Sequence, residues 1–270
     1  MYPTIFQIGA FKLHSYGLMV FLAFALGLWL AVQRGKAAGI QPQITTDLTI
    51  WIMVSSIVGA RLTYVLFHPG EFKGRWLDAV SPIQSDGTIG IGGLVILGGV
   101  AAAIPVAAHF LKKHKISFLK MTDVMMPSLA LGIAIGRIGC LLNGCCFGLP
   151  TDLPWGIQFP KTCLAGAEFP NKHIHPTQLY ESLYSIIIML ILIWRTQRSR
   201  FEGELFFIFL GLYGIFRFFN EMLRHYETSM IILGSSEGWH LTASMAASLG
   251  MLAIGFIYWF KFKHKAKRAR

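Results

Sequence analysis

The stretch "GRIGCLLNGCCFG" at 136–148 places one arginine, Arg137, and three of the four cysteines, Cys140, Cys145 and Cys146, in a short apolar segment. Two kinds of chemistry are open to it. A guanidinium is a planar, permanently charged fork of donors that fits phosphate and carboxylate. Clustered thiols bind soft metals, exchange disulfides, act as nucleophiles, or pack as small apolar groups. The spacing Cys-x4-Cys-Cys matches no common zinc finger or ribbon. The chain has no Cys-x-x-Cys, and the adjacent Cys145 and Cys146 would make a strained disulfide. Packing is therefore the preferred reading of the cysteines. Facing an oxidising compartment, Cys163 is expected to bridge to one of Cys140, Cys145 or Cys146 and pin its loop. A thiol–disulfide oxidoreductase, or a metal- or anion-binding membrane protein built on this cluster, stays open as the alternative.

The elements that must hold these residues are apolar. Of 270 residues, 54% are hydrophobic and 14% charged, against about 25% charged in a soluble domain. Runs near twenty apolar residues fit the hydrocarbon core as helices. The expected fold is a single all-α polytopic membrane domain of about seven transmembrane helices. They run roughly over Leu13–Val32, Leu48–Phe67, Ile89–Phe110, Val124–Leu142, Leu179–Trp194, Leu205–Phe219 and Thr242–Phe260. The sixth is interrupted by "GLYG" and Arg217.

Lysine and arginine set orientation. With the C-terminus cytoplasmic and the N-terminus periplasmic, cytoplasmic segments hold 15 basic residues and the other side six. The net charge of +11 is thus mainly a topology signal. The basic tail at 261–270 sits against anionic lipid, worth about 1 kcal/mol per basic residue, and nucleic acid is not an expected partner. Three arginines are left inside spans: Arg61, Arg137 and Arg217. A charge at mid-bilayer costs roughly 2.5–3.5 kcal/mol on insertion scales, so such residues face a protein interior or cavity. All three fall toward the outer ends of their spans and are expected to meet there. An anion among them would relieve their repulsion, with Glu181 and Glu221 close enough to pair with one or two. Arg217, Glu221 and Arg224 are spaced i, i+4, i+7, one helical face if the sixth span continues.

The longest connection, about 143–178, is rich in Pro, Trp and Phe and reads as an ordered cap. The spacing of its His173 and His175 with Glu181 matches no common metal site. His175 is expected to fix the turn before Pro176. No metal and no cofactor is expected.

Five blocks in order resemble the prolipoprotein diacylglyceryl transferase family over nearly the whole chain. They are "HSYGLM" at 14–19, "GARLTYVLFH" at 59–68, "GRIGCLLNG" at 136–144, "HPTQLYES" at 175–182 and "GLYGIFRFFNEMLR" at 211–224. The resemblance implies a multi-pass enzyme of the bacterial inner membrane with its site facing the periplasm. Its activity would move diacylglyceryl from phosphatidylglycerol to the lipobox cysteine of a preprolipoprotein and release glycerol phosphate. Its partners would be that lipid and that signal peptide, and a monomer is expected. The same resemblance places Arg137 and Arg217 as phosphate-holding catalytic residues. It places Tyr16, Asn143, Gly148, Tyr213, Glu221 and Arg224, with Arg61, Gly92 and Gly93, at functional positions.

Three departures stand out. The family's His-Gly-Gly is Ile91-Gly92-Gly93 here, so a proposed base is missing, and His14 is the replacement candidate. Cys140 stands for an asparagine, and Cys145 for an acid.

Overall fold

A computed structural model describes residues 4–8, 11–79, 81, 93–226, 231–234 and 240–268. It is mostly helical. Seven helices are long and apolar enough to cross a membrane: α1 (Ser15–Ala37), α2 (Pro42–Phe67), α3 (Ile96–Lys113), α4 (Phe118–Asn143), α6 (Thr177–Thr196), α7 (Glu204–Met222) and α8 (Ala243–Arg268, apolar to Phe262). A short α5 (Leu164–Glu168) lies between α4 and α6. Small antiparallel pairs complete the fold: β1 (Thr4–Ile8) with β2 (Phe11–His14), β3 (Ile157–Gln158) with β4 (His173–Ile174), and β5 (Ile231–Gly234) with β6 (His240–Thr242). Phe21, Leu66, Leu97, Leu190 and Ile257 are all more than half exposed. Large apolar side chains exposed along every one of these spans suit lipid better than water. This is a membrane protein.

Two boundaries differ from expectation. The third span starts at Ile96, preceded by an extended Val95 and by Gly93 with a left-handed φ of +64°. The sixth runs unbroken through "GLYG" and Arg217 to Met222.

The chain divides into two compact units. In Gly35–Met121, α2 and α3 approach closely through small residues. A Cβ on Gly59 would lie 2.4 Å from the Ala102 Cβ, and one on Gly98 would lie 2.7 Å from the Gly59 carbonyl. Such close approach is how small residues join membrane helices.

The other unit holds the segments up to Arg34 and from Thr122 onward. Its core packs Met126 and Ala130 of α4 against Tyr184, Ile188 and Leu192 of α6 and Leu205 and Phe209 of α7. Helix α8 lies on α7 at Gly214 and Gly255, where an added Cβ would meet backbone at 2.6–2.7 Å. At one end of α7, Asp123 accepts hydrogen bonds from the amides of Gly203 (2.7 Å) and Phe206 (3.0 Å). That carboxylate serves donors that the first turn of a helix cannot satisfy internally. The connection from α4 to α6 is ordered, with its own small core of Phe159, Cys163, Ala165 and Ile174.

Candidate active site

At the other end of α4, α6 and α7, a charged network is buried. Glu181 of α6 is 1% exposed, and its Oε2 lies 3.0 Å from Arg137 Nε and 2.6 Å from Arg217 Nη1. Its Oε1 accepts the Tyr213 hydroxyl at 2.9 Å. Asn220 Nδ2 adds a longer bond of 3.4 Å to Oε2. Glu221, fully buried, pairs through Oε1 with Arg217 Nη2 and with Arg224 Nη1 at 3.2 Å. One helical face explains part of this, since Tyr213, Arg217, Asn220 and Glu221 are three or four residues apart. A buried carboxylate accepts such desolvation only when its oxygens are well paired.

Arg137 and Arg217 therefore meet as expected, but the third arginine of the group is Arg224. Helix α7 ends at Met222, so Arg224 is placed by backbone pairing instead of by helical register. The segment 147–149 runs between two others. On one side, Leu149 N donates to Leu223 O (2.8 Å) and His225 N to Phe147 O (3.1 Å). On the other, Gly148 N donates to His175 O (3.1 Å) and His175 N to Leu149 O (2.9 Å). Gly148 is required here for space: a Cβ would sit 2.6 Å from the His175 Cβ and carbonyl oxygen and 2.8 Å from Leu223 O. His175 thus fixes this junction chiefly through its main chain. Its Nδ1 lies 3.3 Å from the Tyr180 hydroxyl, which also accepts from Trp155 Nε1 at 2.8 Å. Partial burial pushes the His175 imidazole below its ordinary range, because desolvation disfavours the charged ring.

Arg61 belongs to the other unit. It is buried, and its guanidinium donates to the carbonyls of Ala79 (2.8 Å), Asp78 (2.5 Å) and Gly93 (3.4 Å). It holds its own loop, and a Gly93 Cβ would be 2.4 Å from the Tyr64 ring. Ile91 and Gly92 lie outside the described residues. Tyr16, in the first turn of α1, packs on α4 where a Cβ on Gly139 would be 3.3 Å from its ring. His14 is exposed at the end of β2. Asn143 ends α4 and lines a cleft of about 360 Å³ with Lys161, Thr162, Cys163, Leu164 and Ala167.

The cysteines correct one expectation. All four are free. Cys163 starts α5, and its thiol donates to the Pro160 carbonyl at 3.2 Å instead of bridging to the others. The remaining three converge: the Sγ atoms of Cys140, Cys145 and Cys146 all lie within 4.8 Å of one another. Arg137 Nη1 is 3.9 Å from Cys140 Sγ. Of the two thiols beyond the helix, Cys146 is held below its ordinary range by hydrogen bonds from the Cys140 and Cys145 thiols, with Arg224 and Arg137 nearby. Its hydrogen bond to Cys146, together with burial, holds Cys145 above that range, against the opposing hydrogen bond with Cys140.

The sequence reading undervalued two residues. Glu181 is the hub of the network, and its signal was an acid inside an apolar helix. Asn220 reaches both Glu181 and the Thr177 carbonyl (3.2 Å), and its signal was a position three residues after Arg217 on the same helical face.

This polytopic membrane protein thus gathers Arg137, Arg217 and Arg224 around Glu181 and Glu221. Residues 3–261 match the Prolipoprotein diacylglyceryl transferase family, and the chain belongs to it. A relative from Synechococcus elongatus, named phosphatidylglycerol–prolipoprotein diacylglyceryl transferase, is 35% identical over 96% of this chain and 88% of its own length. Relatives of the same name from Finegoldia magna and Clostridium botulinum are 35% and 32% identical, each over 96% of this chain and 94% and 98% of their own lengths. The protein is accordingly a membrane transferase.

Proposed function

We propose that the protein transfers the diacylglyceryl group of phosphatidylglycerol to the lipobox cysteine of preprolipoproteins. The observation that carries this reading is the charge of the buried network. Arg137, Arg217 and Arg224 face Glu181 and Glu221, which leaves one guanidinium charge in excess. A phosphodiester carries one negative charge and presents oxygens that suit guanidinium donors. Arg224 Nε is buried and, among the described residues, has no hydrogen-bond partner, so it has a donor to offer.

In the reaction the acceptor thiolate attacks the glycerol carbon that bears the phosphate. A C–S bond forms, the C–O bond breaks, and glycerol phosphate leaves with the bonding pair. Arg137 and Arg217 stabilise the growing charge on the leaving group. A preorganised contact of this kind is worth about 3–4 kcal/mol. The cationic surroundings also favour the acceptor as thiolate, which lessens the need for the base absent at Ile91. Arg61 and Gly93 shape the other unit. The site faces the periplasmic leaflet of the bacterial inner membrane, as the excess of basic residues in the opposite loops indicates.

The test is rescue of lipoprotein modification in cells depleted of their own transferase. The intact chain restores it, and Arg137→Ala, present in the membrane at equal level, does not. Undiminished thioether formation by that variant would remove the assignment.

A further inference from the structure

We propose that Cys140, Cys145 and Cys146 form a binding site for one thiophilic d10 cation, held by three sulfurs beside Arg137. The site adjoins the arginine network at Arg137, but its test does not depend on the lipid chemistry above.

The geometry is close to what such an ion needs. A metal–sulfur bond of about 2.3 Å puts three sulfurs in a trigonal array about 4 Å apart. The three Sγ atoms already lie within 4.8 Å of one another, so small side-chain rotations would close them on an ion. The backbone that carries them is fixed. Gly144 and Cys146 take left-handed φ values of +71° and +59°. The amide of Cys145 donates to the Cys140 carbonyl at 3.1 Å. Gln178 Nε2 donates to Cys145 O at 2.7 Å, and Thr177 Oγ1 to Cys146 O at 2.9 Å. Cysteine needs no such bracing to serve as a small apolar filler. Burial also fits, since Cys140 is buried whereas Cys145 and Cys146 are half-buried. The triplet is thus neither sealed in the core nor fully exposed.

The donor set selects the ion. Among the described residues the group consists of thiols alone. Soft sulfur ligands favour copper(I) and zinc-like ions over magnesium, calcium or manganese. A three-sulfur set suits copper(I) directly, while zinc or cadmium would add a water. A monovalent ion with one thiol retained, or a divalent ion with three thiolates, gives a complex of charge −1. That charge matches the single guanidinium excess of the neighbouring network.

The experiment uses the full chain in lipid nanodiscs, reduced and then freed of reductant under inert gas. Cadmium(II) and copper(I) are titrated separately. One ion bound per chain is expected, and cadmium should give the ultraviolet thiolate-to-metal absorption. Alkylation followed by mass analysis should show Cys140, Cys145 and Cys146 shielded by the ion and Cys163 not. Cys145→Ser with Cys146→Ser loses the ion, and Cys163→Ser keeps it. Failure of the double variant to fold would leave the shielding pattern of the parent protein to decide. Absence of the thiolate absorption at one equivalent, shielding that includes Cys163 equally, or ion retained by a folded double variant would each overturn the proposal.

Discussion

Glu181→Gln is the sharpest test of the network, because it keeps volume and removes only the charge. The carboxylate is 1% exposed and faces two guanidiniums at 3.0 and 2.6 Å. Unit charges about 4 Å apart attract by about 4 kcal/mol at an effective dielectric near 20. Removing one member of a buried pair typically costs about 3–5 kcal/mol. Here the loss also leaves Arg137 and Arg217 facing each other, and turns an acceptor into an amide whose NH2 points at donors. Glu181→Gln should therefore lower stability by about 3–5 kcal/mol, read from chemical or thermal unfolding in detergent. Arginines that lose their anchor also lose their aim, so transfer from phosphatidylglycerol to a lipobox peptide should fall by about 10²-fold or more in kcat. Tyr213→Phe is the comparison. It deletes one hydrogen bond to the same carboxylate and keeps the charge, at about 1 kcal/mol. If Glu181→Gln matched the parent in both unfolding and transfer, Glu181 would not be what holds the arginines.

Other outcomes follow from the same geometry. Gly148→Ala forces a Cβ to within 2.6 Å of the His175 carbonyl oxygen; overpacking of this kind costs about 1–3 kcal/mol, and transfer should drop because Arg224 shifts, whereas unchanged activity would show that the junction yields freely. Asp123→Ala removes the acceptor for the Gly203 and Phe206 amides; a loss of about 1 kcal/mol in unfolding is expected, and an equally stable variant would dismiss the cap. Burial depresses the His175 imidazole from its ordinary value of 6.5, so its stabilising share is complete above that value and is lost as pH falls below it. Hydrogen exchange at the Gly148 and His175 amides should accelerate on acidification, and His175→Gln should flatten the response; a flat profile in the parent would contradict this.

Much of the fold was legible because apolar length is a direct property of composition. All seven spans were found, and the errors have physical sources. An apolar, glycine-rich run does not distinguish helix from extended chain, so the start of the third span was placed before Gly93. Arg217 resembled an interruption because a charge in a span is costly alone. Its pairing with Glu181 and Glu221 removes that cost, and the helix runs on to Met222. Counting basic residues singled out Arg137 and Arg217, which share Glu181. It also singled out Arg61, which donates to carbonyls within its own unit. Arg224 was read as a helical neighbour of Glu221. The backbone pairing of 147–149 with 223–225 that places it is non-local, and a linear pattern does not contain it. The convergence of three thiols was hidden in the same way, since the left-handed turn at Gly144 and Cys146 folds a spacing that matches no common motif.

The shared carboxylate also constrains how the chain is made. Arg137 is synthesised 44 residues before Glu181 and 80 before Arg217. At typical translation speeds, α4 waits roughly 2–9 s for its counter-charge. During that interval Arg137, six residues from the end of α4, can keep its head at the membrane surface while the rest of the helix enters the bilayer. The arrival of α6 then offers a neutralising partner, and α7 brings Arg217 and Glu221 together as a pair that already offsets itself. The order of charges along the chain thus supplies Arg137 and Arg217 with counter-charges from the chain itself.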